Sequence, residues 1–300
     1  TFSRARHILN IWLYWTEKLL TRTAACDNYH MTNQKTTVSY WRKQEESRPL
    51  FPDIEWAKPE QRAQRGRLGI VGGNKLGFAG VAGAYQTALS TGVGEVRVVL
   101  PDALKRSIPS TMTNVIFAPS NPSGSLARGA INELRALGSW STGLLLAGDA
   151  GRNSETAIVY SDLLSKYNGL LVVTRDAVDL VRNDAEAIAT RPRTVLVLSF
   201  AQLQKLFREL YYPKILTFNM PLMQLVETLH KFTITYPLTI VTLHRDTLII
   251  AHGGEVVTTD WRDPMRIWRG ETAARAAAYL LWTPSQPLEA VATSVAAHNP

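Results

Sequence analysis

The sequence predicts an α/β protein whose sheet is mostly parallel and doubly wound, with helices on both of its faces. Three features predict it. Short runs of Val, Leu and Ile are continuous rather than alternating, which is typical of strands buried on both faces. Segments with helical spacing separate these runs, so strand and helix alternate along the chain. A glycine-rich turn joins the first of the strands to the first helix.

Composition supports a globular protein with a substantial core. Of the 300 residues, 45% are hydrophobic and 19% are charged, and this length suffices for one large α/β domain or two small ones. The longest apolar runs, such as Gly143–Ala147, are far too short to span a bilayer, so we expect no membrane partner. Cys26 is the single cysteine, which excludes an intramolecular disulfide and indicates a reducing, cytoplasmic setting.

The net charge of +8 does not indicate a nucleic-acid partner, because it is not concentrated. Residues 1–65 carry 11 Lys/Arg and 7 Asp/Glu, and residues 66–300 carry 22 and 18, so each part has a net charge of +4. A mild preference for anions such as nucleotides is all that this charge supports. The six histidines are isolated, and no metal-ligating set of side chains is predicted.

Residues 1–60 are predicted to form a poorly ordered N-terminal extension, and residues 61–300 a single domain. Within the extension, His7–Leu20 mixes Trp and Tyr with basic residues, whereas Met31 begins a polar stretch of the kind that opens many proteins. One hypothesis is that residues 1–30 are upstream sequence read in from a mis-assigned start. The alternative is that they form an amphipathic surface helix.

From Arg67 onward the regular elements follow one another closely. Continuous apolar runs, which are typical of strands buried on both faces of a sheet, predict these strands: Leu68–Val71, Val96–Leu100, Leu144–Ala147, Leu170–Val173, Val195–Leu198, Leu238–Leu243 and Leu248–Ala251. Apolar residues with helical spacing predict helices around Val81–Leu89, Leu203–Leu210, Leu222–Leu229, Gly270–Trp282 and Leu288–His298. The run His252–Glu255 between two apolar runs predicts an antiparallel hairpin at the edge of the sheet.

The turn after the first of these strands is the most informative segment. The missing side chains of Gly72 and Gly73 let the backbone turn sharply and let a ligand approach it, and a free helix N terminus after Gly77 favours an anion. Phe78 and Ala79 stand where the phosphate loop of nucleoside triphosphatases requires Lys and Ser/Thr, and the spacing G-x-G-x-x-G is absent. A strand–glycine–helix turn without any ligand is the alternative.

A longer span, Leu68–Pro101, resembles the opening of ATP/ADP-dependent NAD(P)H-hydrate dehydratases, which are the C-terminal domains of YjeF-type repair proteins. The matching motifs are Ile-Val-Gly-Gly-Asn at residues 70–74, Gly-Phe-Ala-Gly at 77–80 and Ala-Leu-Ser-Thr-Gly-Val-Gly at 88–94. Weaker similarity continues, in the same order, over residues 60–298.

This resemblance implies a ribokinase-like fold and a reaction in which ATP or ADP, with Mg²⁺, drives the removal of water from hydrated NADH or NADPH. In that family an aspartate in a Gly-Ser-Gly-Asp motif acts as the base, and glycine amides hold the transferred phosphoryl group. Positioning and charge stabilisation are most of what such a transfer requires.

Later motifs of the family are changed in this chain. The family motif Gly-Pro-Gly-Leu-Gly corresponds to Ala147–Gly151, followed by Arg152, and Asp-Ala-Asp-Ala-Leu corresponds to Thr174–Val178, which keeps only Asp176 of the two aspartates. Thr-Pro-His-Pro-Gly-Glu corresponds to Val197–Gln202, and Leu-Lys-Gly to Leu243–Arg245. The catalytic loop corresponds to Ile267–Glu271.

Glu271 follows Gly270 at the position of the family's catalytic aspartate and could take a proton in its place. It is one methylene longer, and a displacement near 1 Å can reduce a rate by on the order of a hundredfold. Arg269 could bind a phosphate, although a purely structural role for Trp268 and Arg269 is the stronger alternative. An acid in the first turn of a helix is also favourable without any catalytic role.

The resemblance implies a set of site residues. Those expected on the side of the hydrated dinucleotide are Gly72, Gly73, Asn74, Gly77, Gly80, Gly151, Arg152 and Asp176. Those expected on the side of ATP or ADP are His244, Arg245, Arg269 and Gly270, with Glu271 as the base. The main prediction is therefore a dehydratase that is either fully active or weakened by its changed motifs. The alternatives are an inactive homologue that binds a nucleotide or a partner protein, and a small-molecule kinase; whether identical subunits assemble stays open.

Overall fold

The computed structural model describes residues 38–45 and 47–296, and a compact unit begins at Ser39. The hypothesis about residues 1–30 lies outside the described residues. The strands of this unit are β1 Trp41–Gln44, β2 Arg67–Gly72, β3 Glu95–Pro101, β4 Val115–Ala118, β5 Gly143–Gly148, β6 Leu170–Thr174, β7 Thr194–Ser199, β8 Thr239–His244, β9 Thr247–His252 and β10 Glu255–Asp260. The helices are α1 Ala79–Thr91, α2 Ile131–Trp140, α3 Ser154–Leu164, α4 Asp176–Leu180, α5 Ala185–Thr190, α6 Phe200–Glu209, α7 Leu222–Thr235, α8 Met265–Trp268, α9 Glu271–Trp282 and α10 Pro287–Ala296.

All ten described strands form one sheet in the order β1-β10-β9-β8-β7-β6-β5-β2-β3-β4. Neighbouring strands from β8 through β5 and β2 to β4 are parallel, whereas β9 pairs antiparallel with β8 on one side and with β10 on the other. The predicted α/β class, with a mostly parallel sheet and an antiparallel part at one side, is confirmed. The predicted hairpin is the two-residue connection between β9 and β10.

Helices cover both faces of the sheet, which is why the central strands are apolar throughout rather than alternating. Side chains alternate between the faces: Val71 and Val99 point into one core, and Ile70 and Val98 into the other. Helices α2 to α7 pack over the first core, and α1, α9 and α10 over the second. The result is the doubly wound arrangement that the alternation of strands and helices predicts.

The first strand lies upstream of the predicted domain boundary. Trp41–Gln44 pairs in parallel with β10, and the buried Gln44 side chain donates a hydrogen bond of 2.9 Å to the Ala292 carbonyl. Residues 41–44 therefore belong to the sheet, and the boundary drawn after residue 60 cuts through the compact unit. The pairing partner of this strand lies more than 200 residues further along the chain.

Two features of the fold bear on function. In the part of the chain that the structure describes, no helix has the length and apolarity needed to cross a bilayer. Parallel strands β2, β5 and β6 end side by side, so the loops that follow them meet at the carboxyl edge of the sheet. That edge, where ligands bind in open α/β sheets, carries most of the predicted site residues.

Candidate functional site

The N termini of two helices meet at the carboxyl edge of the sheet. Helix α1 begins after β2, and α9 begins after the short helix α8. A Cβ added to Gly270 would lie 3.3 Å from the carbonyl oxygen of Gly80, and one added to Gly83 would lie 3.1 Å from that of Arg269. The predicted residues Gly80, Arg269, Gly270 and Glu271 are thus brought together, although they are nearly 200 residues apart in the sequence.

The glycine loop after β2 is held by the loop after β5. The Gly73 amide donates a 2.9 Å hydrogen bond to the Gly148 carbonyl, and the Asn74 side-chain amide donates one of 2.7 Å to the Asp149 carbonyl. A Cβ on Gly72 would lie 2.3 Å from the Gly148 oxygen. The space beside Gly72, which the sequence assigned to an approaching ligand, is therefore filled by the protein's own backbone. Gly77 closes a tight turn with Asn74 and has open space beside it.

The loops after β5 and β6 are joined through Asp176. The backbone amide of Gly151 donates a 3.0 Å hydrogen bond to one carboxylate oxygen of Asp176. The other oxygen is buried without a hydrogen-bond partner, as is the hydroxyl of Tyr160. Burial raises the pKa of the Asp176 carboxyl above its ordinary value, and the bond from Gly151 only partly offsets this. Arg152, predicted beside them, is exposed.

The Asp176 environment gives a pH-dependent prediction. A raised pKa means that the folded protein binds the Asp176 proton more tightly than the unfolded chain, so this group lowers stability as the pH rises through that pKa. Asp176→Asn should therefore be more stable than the wild type at pH 7.5, with the difference shrinking as the pH falls toward about 3.9, the ordinary value for aspartate. Urea unfolding across this range measures it.

Asp162→Asn, which changes an exposed aspartate of α3, is the matched control and should show no such trend. Equal stability of wild type and Asp176→Asn at every pH would contradict the prediction.

Two charged residues absent from the predicted set, Asp149 and Arg175, lie between the N termini of α1 and α9 at the carboxyl edge of the sheet, a region called the cleft below. One carboxylate oxygen of Asp149 accepts a 2.6 Å hydrogen bond from the Gly80 amide, in the first turn of α1. The other pairs with the Arg175 guanidinium, which also donates to the Trp268 carbonyl before α9. The sequence predicts a free N terminus for α1. The structure differs, because an acidic side chain of the same chain, Asp149, already caps it.

The residue that precedes α9, Gly270, supplies no side-chain cap to this helix. Gly270 precedes it with φ of 80°, a left-handed conformation that glycine adopts without strain, and provides no side chain to bond the first-turn amides. Glu271 is half-buried at the first position and is attracted to the positive charge of Arg275. The Thr272 hydroxyl is buried without a hydrogen-bond partner, and Arg269 is exposed. These amides can receive an anion, and Glu271 lies where it could take a proton from a bound group.

His244 and Arg245 lie at the end of β8 and in the turn that follows it, not in the glycine loops. The buried His244 ring packs against Phe200 and Phe218, with centroids 5.0 and 6.0 Å away, and its Nε2 is 3.1 Å from the Met220 carbonyl. These contacts join it to α6 and to the segment before α7. Arg245 is exposed in the turn between β8 and β9. Of this pair, only Arg245 offers a side chain to solvent.

Among the described residues, no three His, Cys, Asp or Glu side chains are grouped to hold a metal ion. Mg²⁺ in nucleotide sites is usually bound through substrate phosphates and one or two carboxylates rather than in an all-protein cage. A Mg²⁺ ion that arrives on a nucleotide is compatible with this arrangement.

Comparison with solved structures shows the fold. A ribokinase-like superfamily protein of Enterococcus faecalis V583 is 14% identical with a TM-score of 0.64, covering 85% of each chain. A protein of Streptococcus mutans is 13% identical with a TM-score of 0.61, covering 81% of this chain and 84% of its own. The ADP/ATP-dependent NAD(P)H-hydrate dehydratase of Bacillus subtilis is 12% identical with a TM-score of 0.57, covering 82% and 86%.

The chain therefore has the α/β architecture of ribokinase-like proteins, as the resemblance implied. No protein-family model and no curated protein sequence matches it. Identities of 12–14% show the fold and not a particular activity.

Proposed function

We propose that this chain binds ATP or ADP with Mg²⁺ at the carboxyl edge of its sheet and uses it to dehydrate hydrated NADH or NADPH. The observation that carries the proposal is the meeting of the α1 and α9 N termini around Gly80 and Gly270. Two positive helix ends at one edge attract phosphate groups, and at α9 the N-cap residue Gly270 has no side chain to compete for the first-turn amides. The similarity in fold to the Bacillus subtilis dehydratase also supports this proposal.

Each part of the α9 N terminus has a role in this proposal. The first-turn amides after Gly270 would hold the phosphoryl group in transit, with Arg269 as an additional positive charge at the mouth. Glu271 would accept the proton of the nicotinamide hydroxyl as that oxygen bonds to phosphorus and the bond from phosphorus to its former bridging oxygen breaks. Bound Mg²⁺ neutralises phosphate charge. The phosphorylated hydroxyl would then depart as phosphate as its bond to the ring carbon breaks, and loss of a proton from the neighbouring ring carbon would restore the ring double bond of the dinucleotide.

The test is an assay of the full chain with hydrated NADH, Mg²⁺ and either ATP or ADP. Recovery of the NADH absorbance that depends on the nucleotide is the expected result, and comparison of ATP with ADP identifies the phosphoryl donor. A folded protein that binds ADP but restores no NADH contradicts the dehydratase. A stable phosphorylated product would instead indicate a small-molecule kinase.

A second candidate function is nucleotide binding without catalysis. The ion pair of Asp149 and Arg175 favours it, because the two residues fill the α1 side of the cleft. In the resemblance, Asp149 stands at a glycine and Arg175 at an alanine of the family. Under this candidate the chain binds ADP with the amides of α9, and its activity in the assay is absent with every nucleotide.

A further inference from the structure

The ion pair of Asp149 and Arg175 joins four separate parts of the cleft. Asp149 lies after β5 and bonds the first turn of α1 through Gly80. Arg175 lies after β6 and bonds the Trp268 carbonyl, just before α9. The side chains are mostly enclosed, with 16% of Asp149 and 24% of Arg175 exposed. The side chains of Asp149 and Arg175 thus tie these loops and helix ends to each other.

The two donors that Asp149 uses are those that a phosphate group would use. Its carboxylate takes the Gly80 amide, where the dipole of α1 favours negative charge, and the guanidinium of Arg175, whose fork suits both carboxylate and phosphate oxygens. A phosphate and the Asp149 carboxylate cannot occupy these donors together, because both are negative and claim the same hydrogens. Asp149 therefore competes with an anionic ligand for the site.

The pair is held in backbone conformations that residues with a Cβ seldom adopt. Asp149 has φ of 54°, and Arg175 has φ of 58° with ψ of −141°. The guanidinium carbon of Arg175 lies only 2.8 Å from where a Cβ on Gly80 would be, so the pair fits only because Gly80 has no side chain. The Arg175 Nε is buried without a hydrogen-bond partner. Backbone conformations of this kind persist only where surrounding contacts hold them in place, and here the ion pair is such a contact.

We propose that the Asp149–Arg175 ion pair is an autoinhibitory contact that closes the α1 side of the cleft, and that a phosphate-bearing ligand opens it by replacing the Asp149 carboxylate. This inference rests on the proposed function in one respect, that the cleft receives a phosphate group. It does not require catalysis. In the closed state Arg175 bonds Asp149 and the Trp268 carbonyl, and in the open state its guanidinium binds the phosphate group.

Calorimetric titration of the full-length protein with ADP, and separately with inorganic phosphate, tests the contact. Asp149→Gly removes the competing charge and suits the positive φ, so it should bind ADP at least about tenfold more tightly than the wild type. Arg175→Ala removes both the ion pair with Asp149 and the guanidinium that would bind phosphate. The double variant Asp149→Gly/Arg175→Ala should lose the gain seen in Asp149→Gly, since the freed guanidinium is what the phosphate uses. A gain for inorganic phosphate as well as ADP assigns it to the phosphate group.

The control is Glu209→Gln, which also breaks a carboxylate–arginine pair, with Arg182, at the end of α6 and away from the cleft. It should leave ADP binding unchanged, and thermal unfolding of every variant checks the fold. Equal ADP affinity of folded Asp149→Gly and wild type would overturn the inference, as would a gain that persists in the double variant. Tighter binding in Asp149→Gly without NADH recovery would uphold the contact and contradict the dehydratase.

Discussion

Replacing Gly72 with alanine is expected to destabilise the protein by about 3 kcal/mol, the upper part of the range for overpacking a filled space. The added methyl would lie 2.3 Å from the Gly148 carbonyl oxygen and 2.8 Å from a Val81 methyl. The oxygen belongs to backbone that also accepts the Gly73 amide hydrogen bond, so it cannot move aside without breaking that bond. The ends of β2 and β5 would have to separate, and with them the loops of the cleft.

Gly77→Ala is the matched control, because it makes the same change five residues away in the same loop. A Cβ on Gly77 meets nothing within 4 Å, and the stability change should stay within about 0.5 kcal/mol, as for a surface substitution. Urea unfolding of both variants gives the comparison. Equal midpoints for the two variants would contradict this account of Gly72. Failure of Gly72→Ala alone to yield folded protein would agree with it.

The central strands could be predicted from the sequence because burial on both faces leaves a local pattern. Runs such as Leu144–Ala147 and Leu170–Val173 carry that pattern by themselves, and both are strands. Strand β4 is harder to predict, since its four residues are mostly half-buried at the edge of the sheet. Strand β1 reads Trp-Arg-Lys-Gln and is a strand only because β10, far along the chain, offers it a partner.

The candidate site, like the sheet, could be predicted only where its features leave a local pattern in the sequence. Glycines at tight turns are local features, so the loop at Gly72–Gly80 and the turn at Gly270 could be located from the sequence alone. The pairing of Asp149 with Arg175 depends on two loops from different strands meeting at one edge, which no local pattern shows. A signal was nevertheless present, since charged residues stand where the resembling family has glycine and alanine. Burial of His244 among aromatic rings likewise follows from tertiary packing.

Under the proposed function, Glu271→Gln is expected to reduce NADH recovery by about a hundredfold or more, the usual contribution of a positioned general base. Glutamine keeps the size of the side chain but cannot accept the proton released by the nicotinamide hydroxyl. Glu271→Asp keeps a carboxylate and withdraws it by one methylene, so we expect an intermediate rate. The readouts are the rate of absorbance recovery at saturating nucleotide and, separately, the affinity for ADP, which Glu271→Gln should leave nearly unchanged.

Glu289→Gln separates catalysis from helix stabilisation, because Glu289 is also a half-buried glutamate in the first turn of a helix, α10. Loss of the favourable dipole interaction should cost each variant about 0.3–1 kcal/mol of stability, and Glu271→Gln also loses its attraction to Arg275. Only Glu271→Gln should lose turnover. If the wild type restores NADH and Glu271→Gln does so at the same rate, another group accepts the proton. The α9 N terminus would then serve only to bind phosphate. If neither protein restores NADH while both bind ADP, the cleft retains nucleotide binding without the base-assisted step.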